Sequence, residues 1–406
     1  MHVDLVVLTI KWGICMITGD AAYIKKINRS LILEKIIEKG MISRADISKA
    51  TALTRATVSA QVADLLDEEL IIETRLEHNT VGRKPIMLSL NAHAGYALGI
   101  DVDYGQISFT ISDLLGKPIC EKTIECNRLD YESILNLLIE QINLFKEEFD
   151  DNRYGITGVV IAVHGLVGKD EKVHFVPRFQ WGSVNLKEDL QKACNVSIYV
   201  ENNANMSAFA ERVFYHHETN SLLCATIYTG IGLGMIMDNE FFRGNDGFAG
   251  EIGHMIVVPR GRPCQCGNEG CWEQYASEIV FLDNIRKEKN LSSFTYEDLH
   301  KLILESDQDI LERLENYIYY LSIGLNNMIN MYNPDTIVLD GEILRLYPNS
   351  IKKIEEYLNS SISHYRHLSV SSFGKKSVTM GACAYAIKHF LEVPMLNLKY
   401  DQEQNK

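Results

Sequence analysis

The chain has 406 residues, 46% hydrophobic and 23% charged, the balance of an ordinary soluble globular protein and too long for one small core. Its net charge of −14 is unevenly spread: residues 1–90 carry 12 basic and 11 acidic side chains, the rest 28 and 43, so the first ninety are not excluded from binding nucleic acid. Nine cysteines without regular spacing exclude a secreted disulfide framework and fit a reducing cytoplasm, with Cys15, Cys120, Cys126, Cys194, Cys224 and Cys383 expected as buried thiols.

Residues 3–17 form an apolar run broken by Asp4, Lys11 and Trp12-Gly13. The run is too short to span a bilayer and has no basic segment before it, so neither a membrane span nor a cleavable signal is expected. Residues 1–19 are taken as an extension, with Met16 as the expected working start. In residues 24–39, Ile24, Ile27, Leu31, Leu33, Ile36 and Ile37 recur at helical spacing, and Gly40 stops the helix. Ser43-Arg44-Ala-Asp46 is a capping-box pattern opening a short second helix that ends near Thr51. A third helix runs from 54 to about 68, with Val58, Val62, Leu65 and Leu66 as its buried face. Thr54, Arg55, Thr57, Ser59 and Gln61 are then the hydrogen-bonding groups near its start, where a recognition helix reads bases, with Arg44 close by. Two strands, 70–74 and 86–90, flank a polar loop whose basic tip contains Arg83 and Lys84, suited to a minor groove or to phosphates. Helix, short helix, helix and basic hairpin over residues 20–91 make a winged helix-turn-helix head that binds DNA.

From residue 92 the pattern becomes α/β. Strands are expected at 97–102, 106–111, 158–163, 198–200, 222–228 and 336–339, and helices at 132–149, 311–331 and from 381. Thr229-Gly230-Ile-Gly232-Leu-Gly234 is a glycine-rich turn able to approach a ligand closely. Glu251-Ile-Gly-His254 is followed, nine residues on, by Cys264-Gln-Cys266-Gly-Asn-Glu-Gly-Cys271-Trp-Glu273. One imidazole and three thiols, His254, Cys264, Cys266 and Cys271, are the ligand set of a closed structural zinc site. Glu251 and Glu273 are not needed as ligands. On a rigid metal knot they suit adjacent sugar hydroxyls, each carboxylate oxygen accepting a hydrogen bond.

These segments, with Glu201-Asn202-Asn203-Ala-Asn205 and the run Cys271-Trp-Glu273-Gln-Tyr-Ala-Ser277, resemble the ROK family of repressors and kinases over about residues 95–392. The resemblance implies a two-lobed, actin-like (ribonuclease H-like) sugar-kinase fold over 92–406, hinged near 205, its last helix, 381–392, returning to the first lobe. It implies a sugar pocket of Asn202, Asn203, Glu251, His254 and Glu273, with His254 reaching both metal and sugar. Kinases of the family carry Asp where Asn203 stands, and an amide cannot take a proton from a sugar hydroxyl. The first phosphate turn, Asp followed by Gly-Gly-Thr in the kinases, reads Asp101-Val-Asp103-Tyr104-Gly105, and the adenosine-side turn reads Asp340-Gly341-Glu342. The expectation is a cytoplasmic repressor responding to xylose or a related monosaccharide, dimeric or a dimer of dimers on operator DNA, with no catalysis and no membrane partner. An active kinase with a DNA-binding head, or a repressor released by docking of a transport protein, are the alternatives.

Overall fold

The computed structural model describes residues 20–75, 85–126 and 130–400. The chain divides into two compact units: 1–91 with Leu391–Pro394, and 92–390 with 395–406.

The first unit opens with α1 (Ala21–Lys39), capped by the Asp20 side chain. Its buried residues are Ile32, Leu33, Ile36 and Ile37, whereas Ile24 is exposed. The anticipated stripe therefore starts a turn too early and omits Ile32. Strand β1 (Ile42–Ser43) leads into α2 (Arg44–Thr51), where Ser43 Oγ accepts from the Asp46 amide at 3.2 Å, as the capping pattern requires. Ala52 sits at φ 57°, the left-handed corner that turns the chain into α3 (Arg55–Asp67). Strands β2 (Ile71–Arg75) and β3 (Ile86–Leu90) pair antiparallel from Ile71↔Leu90 to Arg75↔Ile86, and β1 adds to the free side of β3. This is the expected winged arrangement. The basic tip with Arg83 and Lys84 lies outside the described residues, as do Cys15 and the 1–19 extension.

The second unit holds two five-stranded sheets. The first is built from β4 (Tyr96–Asp103), β5 (Gly105–Asp113), β6 (Pro118–Cys126), β7 (Ile156–Val163) and β10 (Ile198–Asn202). Between them lie α4 (Tyr131–Glu148), the small pair β8 (Leu166–Val167) and β9 (Val173–Phe175), and α5 (Leu186–Cys194). After α6 (Asn203–Phe214), the second sheet follows as β11 (Ser221–Thr226), β12 (Gly232–Met237), β13 (Glu240–Phe241), β14 (Thr336–Asp340) and β15 (His367–Val370). Helices α7 (Glu273–Ala276), α8 (Glu278–Glu288), α9 (Tyr296–Leu304) and α10 (Gln308–Tyr332) precede β14, α11 (Glu342–Leu346) and α12 (Ser350–Tyr357) follow it, and α13 (Ser377–Leu391) is last. In each sheet the order, numbered by appearance, is third, second, first, fourth, fifth. The first three strands run antiparallel and the last two parallel to the first, so one topology is used twice.

Two close approaches hold the middle of this unit together. A Cβ on Gly381 of α13 would fall 1.8 Å from the Met206 carbonyl of α6, and one on Gly234 would fall 2.1 Å from the Ala204 carbonyl, so only glycine fits at either place. Helix α13 also meets the first sheet, with Thr110 Oγ1 bonded to Thr379 and the Cys383 thiol facing the Thr110 carbonyl. Cys194, Cys224 and Cys383 are buried as expected, but Cys120 and Cys126 are only half-buried, because β6 is an edge strand.

Candidate functional site: a cleft beside a metal knot

The knot starts from Gly253, whose amide donates to the Ile231 carbonyl, while the Leu233 amide donates to the Gly250 carbonyl. These bonds pin the loop carrying Glu251 and His254 onto the glycine-rich turn. A Cβ at Gly250 would fall 2.3 Å from the Leu233 carbonyl, and one at Gly253 2.4 Å from the Ile231 carbonyl. The chain then runs outward and returns through Gly267 (φ 94°) and Gly270 (φ 86°), both left-handed, as the tight return of the third thiol demands. Trp272, fully buried, fixes the return: its ring lies against Gly324 of α10 and its Nε1 donates to the Tyr320 carbonyl at 2.8 Å.

His254 Nδ1 and Cys264 Sγ are 3.6 Å apart, as are Cys266 Sγ and Cys271 Sγ, and all four ligand atoms lie within 4.8 Å of one another. A tetrahedron with bonds of about 2.3 Å to sulfur and 2.0–2.1 Å to nitrogen has edges of about 3.8 Å (S–S) and 3.6 Å (S–N). The residues therefore fit a metal ion. Because Nδ1 faces the thiols, Nε2 is left pointing toward Glu251, whose Oε2 is 4.0 Å away. Glu273 straddles the two sides: Oε1 stands 3.1 Å from Cys264 Sγ, and Oε2 faces Gly230 of the glycine-rich turn. Desolvation raises the Glu251 carboxyl above its usual range; His254 pulls it down and Glu273 adds to the rise.

Asn202 and Asn203 stand at the joint between β10 and α6. Asn202 Oδ1 accepts from the amides of Ala204 and Asn205, and its Nδ2 donates to the Gly165 carbonyl, so its polar atoms cap the helix and anchor a neighbouring turn. Asn203, the first residue of α6, is half-buried. Just before them, buried Glu201 takes two bonds from the Arg243 guanidinium, tying the strand to the loop that leads to Glu251.

The two altered turns are occupied by the protein's own side chains. His164, to which sequence reasoning gave no role, lies with Nε2 2.9 Å from Asp101 and Nδ1 3.4 Å from Asp103. Burial works against its charge, but Asp103 and Asp101 outweigh it and raise its pKa to about 9, so it is an imidazolium at neutral pH. The Tyr104 amide donates to Asp103 at 2.7 Å, and the Tyr104 ring is stacked on Phe179 with the Arg178 guanidinium over its face. Arg178 also donates to the Thr229 carbonyl at 2.8 Å, across from the first sheet to the glycine-rich turn. On the other side, Asp340 takes the Tyr228 hydroxyl at 2.6 Å and the Arg345 guanidinium at 3.2 Å, and the Ile343 amide donates to buried Glu278.

Burial raises the Glu278 carboxyl to about 8, with Tyr296 and the Ile343 amide opposing. The folded protein holds this proton where the unfolded chain has lost it. Its stabilising contribution is full below the ordinary glutamate range and disappears as pH rises through about 8. Thermal melts should therefore fall between pH 6 and pH 9, and Glu278→Gln, which keeps both partners, should flatten that fall. An unchanged slope in the variant would remove Glu278 as its cause.

In the head, the exposed side of α3 presents Arg55 and Ser59, with Thr57 half-buried behind them. Thr54 is the N-cap, its Oγ1 accepting from the Thr57 amide at 3.1 Å. Gln61 is a correction. It is 5% exposed and faces the core, because it lies three residues from Val58 on the buried stripe, so it is not available to read bases. Arg44 is bonded to Glu73 of the wing at 2.7 Å and is half-committed to that pair.

Residues 97–389 match the profile of the ROK family. The chain belongs to the ROK family. Among ROK proteins, the "Xylose repressor" of Bacillus spizizenii is 37% identical over 92% of this chain and 98% of its own length. A crystal structure of a ROK family transcriptional regulator, a homologue of the E. coli MLC protein, superposes with a TM-score of 0.79 at 26% identity, covering 91% of this chain and 96% of that one. A ROK glucokinase from Streptomyces griseus shares the fold at a TM-score of 0.64 and 22% identity, over 71% of this chain and 98% of its own. No helix among the described residues is long and apolar enough to cross a membrane.

Proposed function

We propose that this chain is a sugar-responsive, DNA-binding transcriptional repressor of carbohydrate-utilisation genes, with xylose or a related monosaccharide as effector and no kinase activity. One observation carries the reading: the groups we assign to the sugar stand together, while the turn we assign to phosphate is filled by the protein's own side chains. Glu251, Glu273 and His254 Nε2 converge beside the metal knot, whereas the Tyr104 amide is spent on Asp103 and His164 bridges Asp101 and Asp103. The Asp103 side chain and the Tyr104 ring stand where a kinase would cradle phosphate. Asn203 in place of a carboxylate removes the base as well.

Zinc is the metal we assign, since three thiolates and one imidazole form a closed tetrahedral set. His254 would hold it through Nδ1, which would leave Nε2–H to donate toward the ligand. Asn203 would add an amide to the pocket, with Asn202 holding it in place. Closure about a hinge near 205 would favour one state of the body, and a coupling of about 1–3 kcal/mol between sugar and operator is the usual range. Arg55, Thr57 and Ser59, with Thr54 and Arg44 at the edge and Arg83 and Lys84 on the wing, would face DNA. Two heads of a dimer, or of a dimer of dimers, would take half-sites one or more helical turns apart, in the cytoplasm. The names of the relatives matched over nearly the whole chain support the same reading.

The test titrates a monosaccharide panel by calorimetry and measures binding to the DNA upstream of the gene with and without each sugar. Glu251→Ala is expected to weaken sugar binding by about 10–100-fold, the worth of a hydrogen bond to a charged group. Nucleotide turnover should be absent in the wild type and in Asn203→Asp. Steady phosphate transfer to any of the sugars would overturn the reading.

A further inference from the structure

Two arginines of the second unit reach from the side of one sheet to the side of the other, in different surroundings. Arg243, on the loop that leads to Glu251, gives two bonds to Glu201 of β10, which is 5% exposed. Arg178, on the side of the first sheet, is exposed, and its Nη2 donates to the Thr229 carbonyl at 2.8 Å. The loop that carries Arg178 is stiff. Val176 and Trp181 form a bridge, with the Val176 amide donating to the Trp181 carbonyl at 3.2 Å. Gln180 takes a left-handed φ of 54°, and its Nε2 donates to the Pro177 carbonyl at 2.5 Å. Phe179 and Trp181, with ring centroids 5.0 Å apart, root the loop in the core of the first sheet. The Arg178 guanidinium lies 5.3 Å from the centre of the Tyr104 ring, and that ring is stacked on Phe179.

The acceptor is as informative as the donor. Thr229 opens the glycine-rich turn, and the groups we assign to the sugar are fastened to that turn. The Ile231 carbonyl takes the Gly253 amide, the Leu233 amide donates to the Gly250 carbonyl, and a Cβ at Gly230 would fall 3.1 Å from Glu273 Oε2. What Arg178 holds is therefore the main chain that carries Glu251, His254 and Glu273. Asn203 stands on the other side, where β10 of the first sheet runs into α6. A pocket built from both sheets has a width set by the bonds between them. The Arg243 pair is largely buried and doubly bonded, so it persists; the Arg178 bond is single and exposed, so it can open and reclose at little cost.

We propose that Arg178 is the latch of the sugar cleft, a positioning residue whose bond to Thr229 holds the glycine-rich turn toward the first sheet and sets how long a bound monosaccharide stays. This deepens the sugar-responsive reading above and rests on it. Without the latch, the Glu201–Arg243 tie remains, so the unit stays folded while the turn moves more freely and the sugar leaves sooner. Association changes little, because an unlatched cleft is no harder to enter.

The test uses the full chain and two readouts. Hydrogen exchange at residues 228–234 of the sugar-free protein is compared in wild type, in Arg178→Met, which keeps the stem and removes the donors, and in Arg178→Lys, which keeps a cationic donor. Stopped-flow tryptophan fluorescence, with Trp181 in the same loop as reporter, then gives association and release rates for D-xylose. Arg178→Met should exchange faster at 228–234 and release xylose about 10-fold faster, the lower end for a bond from a charged donor, with an unchanged association rate. Arg178→Lys should recover most of both. A merely damaged fold would instead lower the fraction of protein that binds and leave the release rate of the remainder as it was. Exchange or release in Arg178→Met equal to wild type, or a lysine variant as impaired as the methionine one, would overturn the latch. If the wild type binds no sugar of the panel, the sugar-responsive reading falls and the claim on sugar release with it, while the exchange comparison still decides whether Arg178 holds the turn.

Discussion

Removing the metal, by chelation or by Cys271→Ser, is expected to abolish sugar binding while the two sheets stay folded. The knot from 255 to 271 has little structure of its own: two isolated bridges, Ile256↔Cys271 and Pro263↔Glu269, and a mostly exposed surface. Structural zinc contributes on the order of 10 kcal/mol to the folding of small sites that lack a core. Without it, His254 loses the constraint on Nδ1 and Glu273 loses the frame beside Cys264, so the converging groups disperse. A fall in sugar affinity of about 100-fold or more is expected, the upper end for groups that orient a metal site. Metal content by mass spectrometry, calorimetric sugar titration and far-ultraviolet dichroism on the same sample would check it. Full sugar affinity in a metal-free preparation would show that the knot does not organise the pocket.

Trp272→Ala should be the most damaging single substitution in the second unit. The indole is fully buried, lies on Gly324 and gives its Nε1 proton to the Tyr320 carbonyl. Truncation leaves a cavity and an orphaned carbonyl, a loss of about 3–5 kcal/mol by analogy with buried aromatics elsewhere. The reciprocal change, Gly324→Val, places a Cβ 2.0 Å from the ring and should be comparably harmful. Urea unfolding followed by tryptophan-independent dichroism would measure both. Because Trp272 lies between Cys271 and Glu273, sugar affinity should fall with stability in each variant. A destabilised Trp272→Ala with unchanged sugar affinity would mean that α10 does not position Glu273.

Much of this was legible because the chemistry is local. Cys264, Cys266 and Cys271 lie within eight residues, so spacing alone limits what they can do together. The caps of α2 and α3 are likewise local, each a side chain reaching an amide three residues on. Gln61 was also legible, since 58, 61, 62 and 65 share one helical face. Its polarity suggested the outside, and the helical repeat placed it inside, where its Oε1 finds no partner among the described residues.

Other features needed the fold. His164 meets Asp101 and Asp103 only because β4 and β7 pair in parallel with Val102 opposite Val163, which brings the next residues of both strands to one end. Arg44 is drawn to Glu73 by the wing's folding back, and Asn202 caps α6 while bonding the Gly165 carbonyl. The sequence by itself determined the helix stops, the Cys3His cluster, and the positions of Glu251, Glu273 and Asn203, all set by residue type and short spacing. Only the tertiary structure decided that the phosphate turn is filled from within, that one sheet order is used twice, and that residues 391–394 fold with the head. Those depend on which distant strands and helices become neighbours, and strand pairing across a hundred residues leaves no short-range trace in the chain.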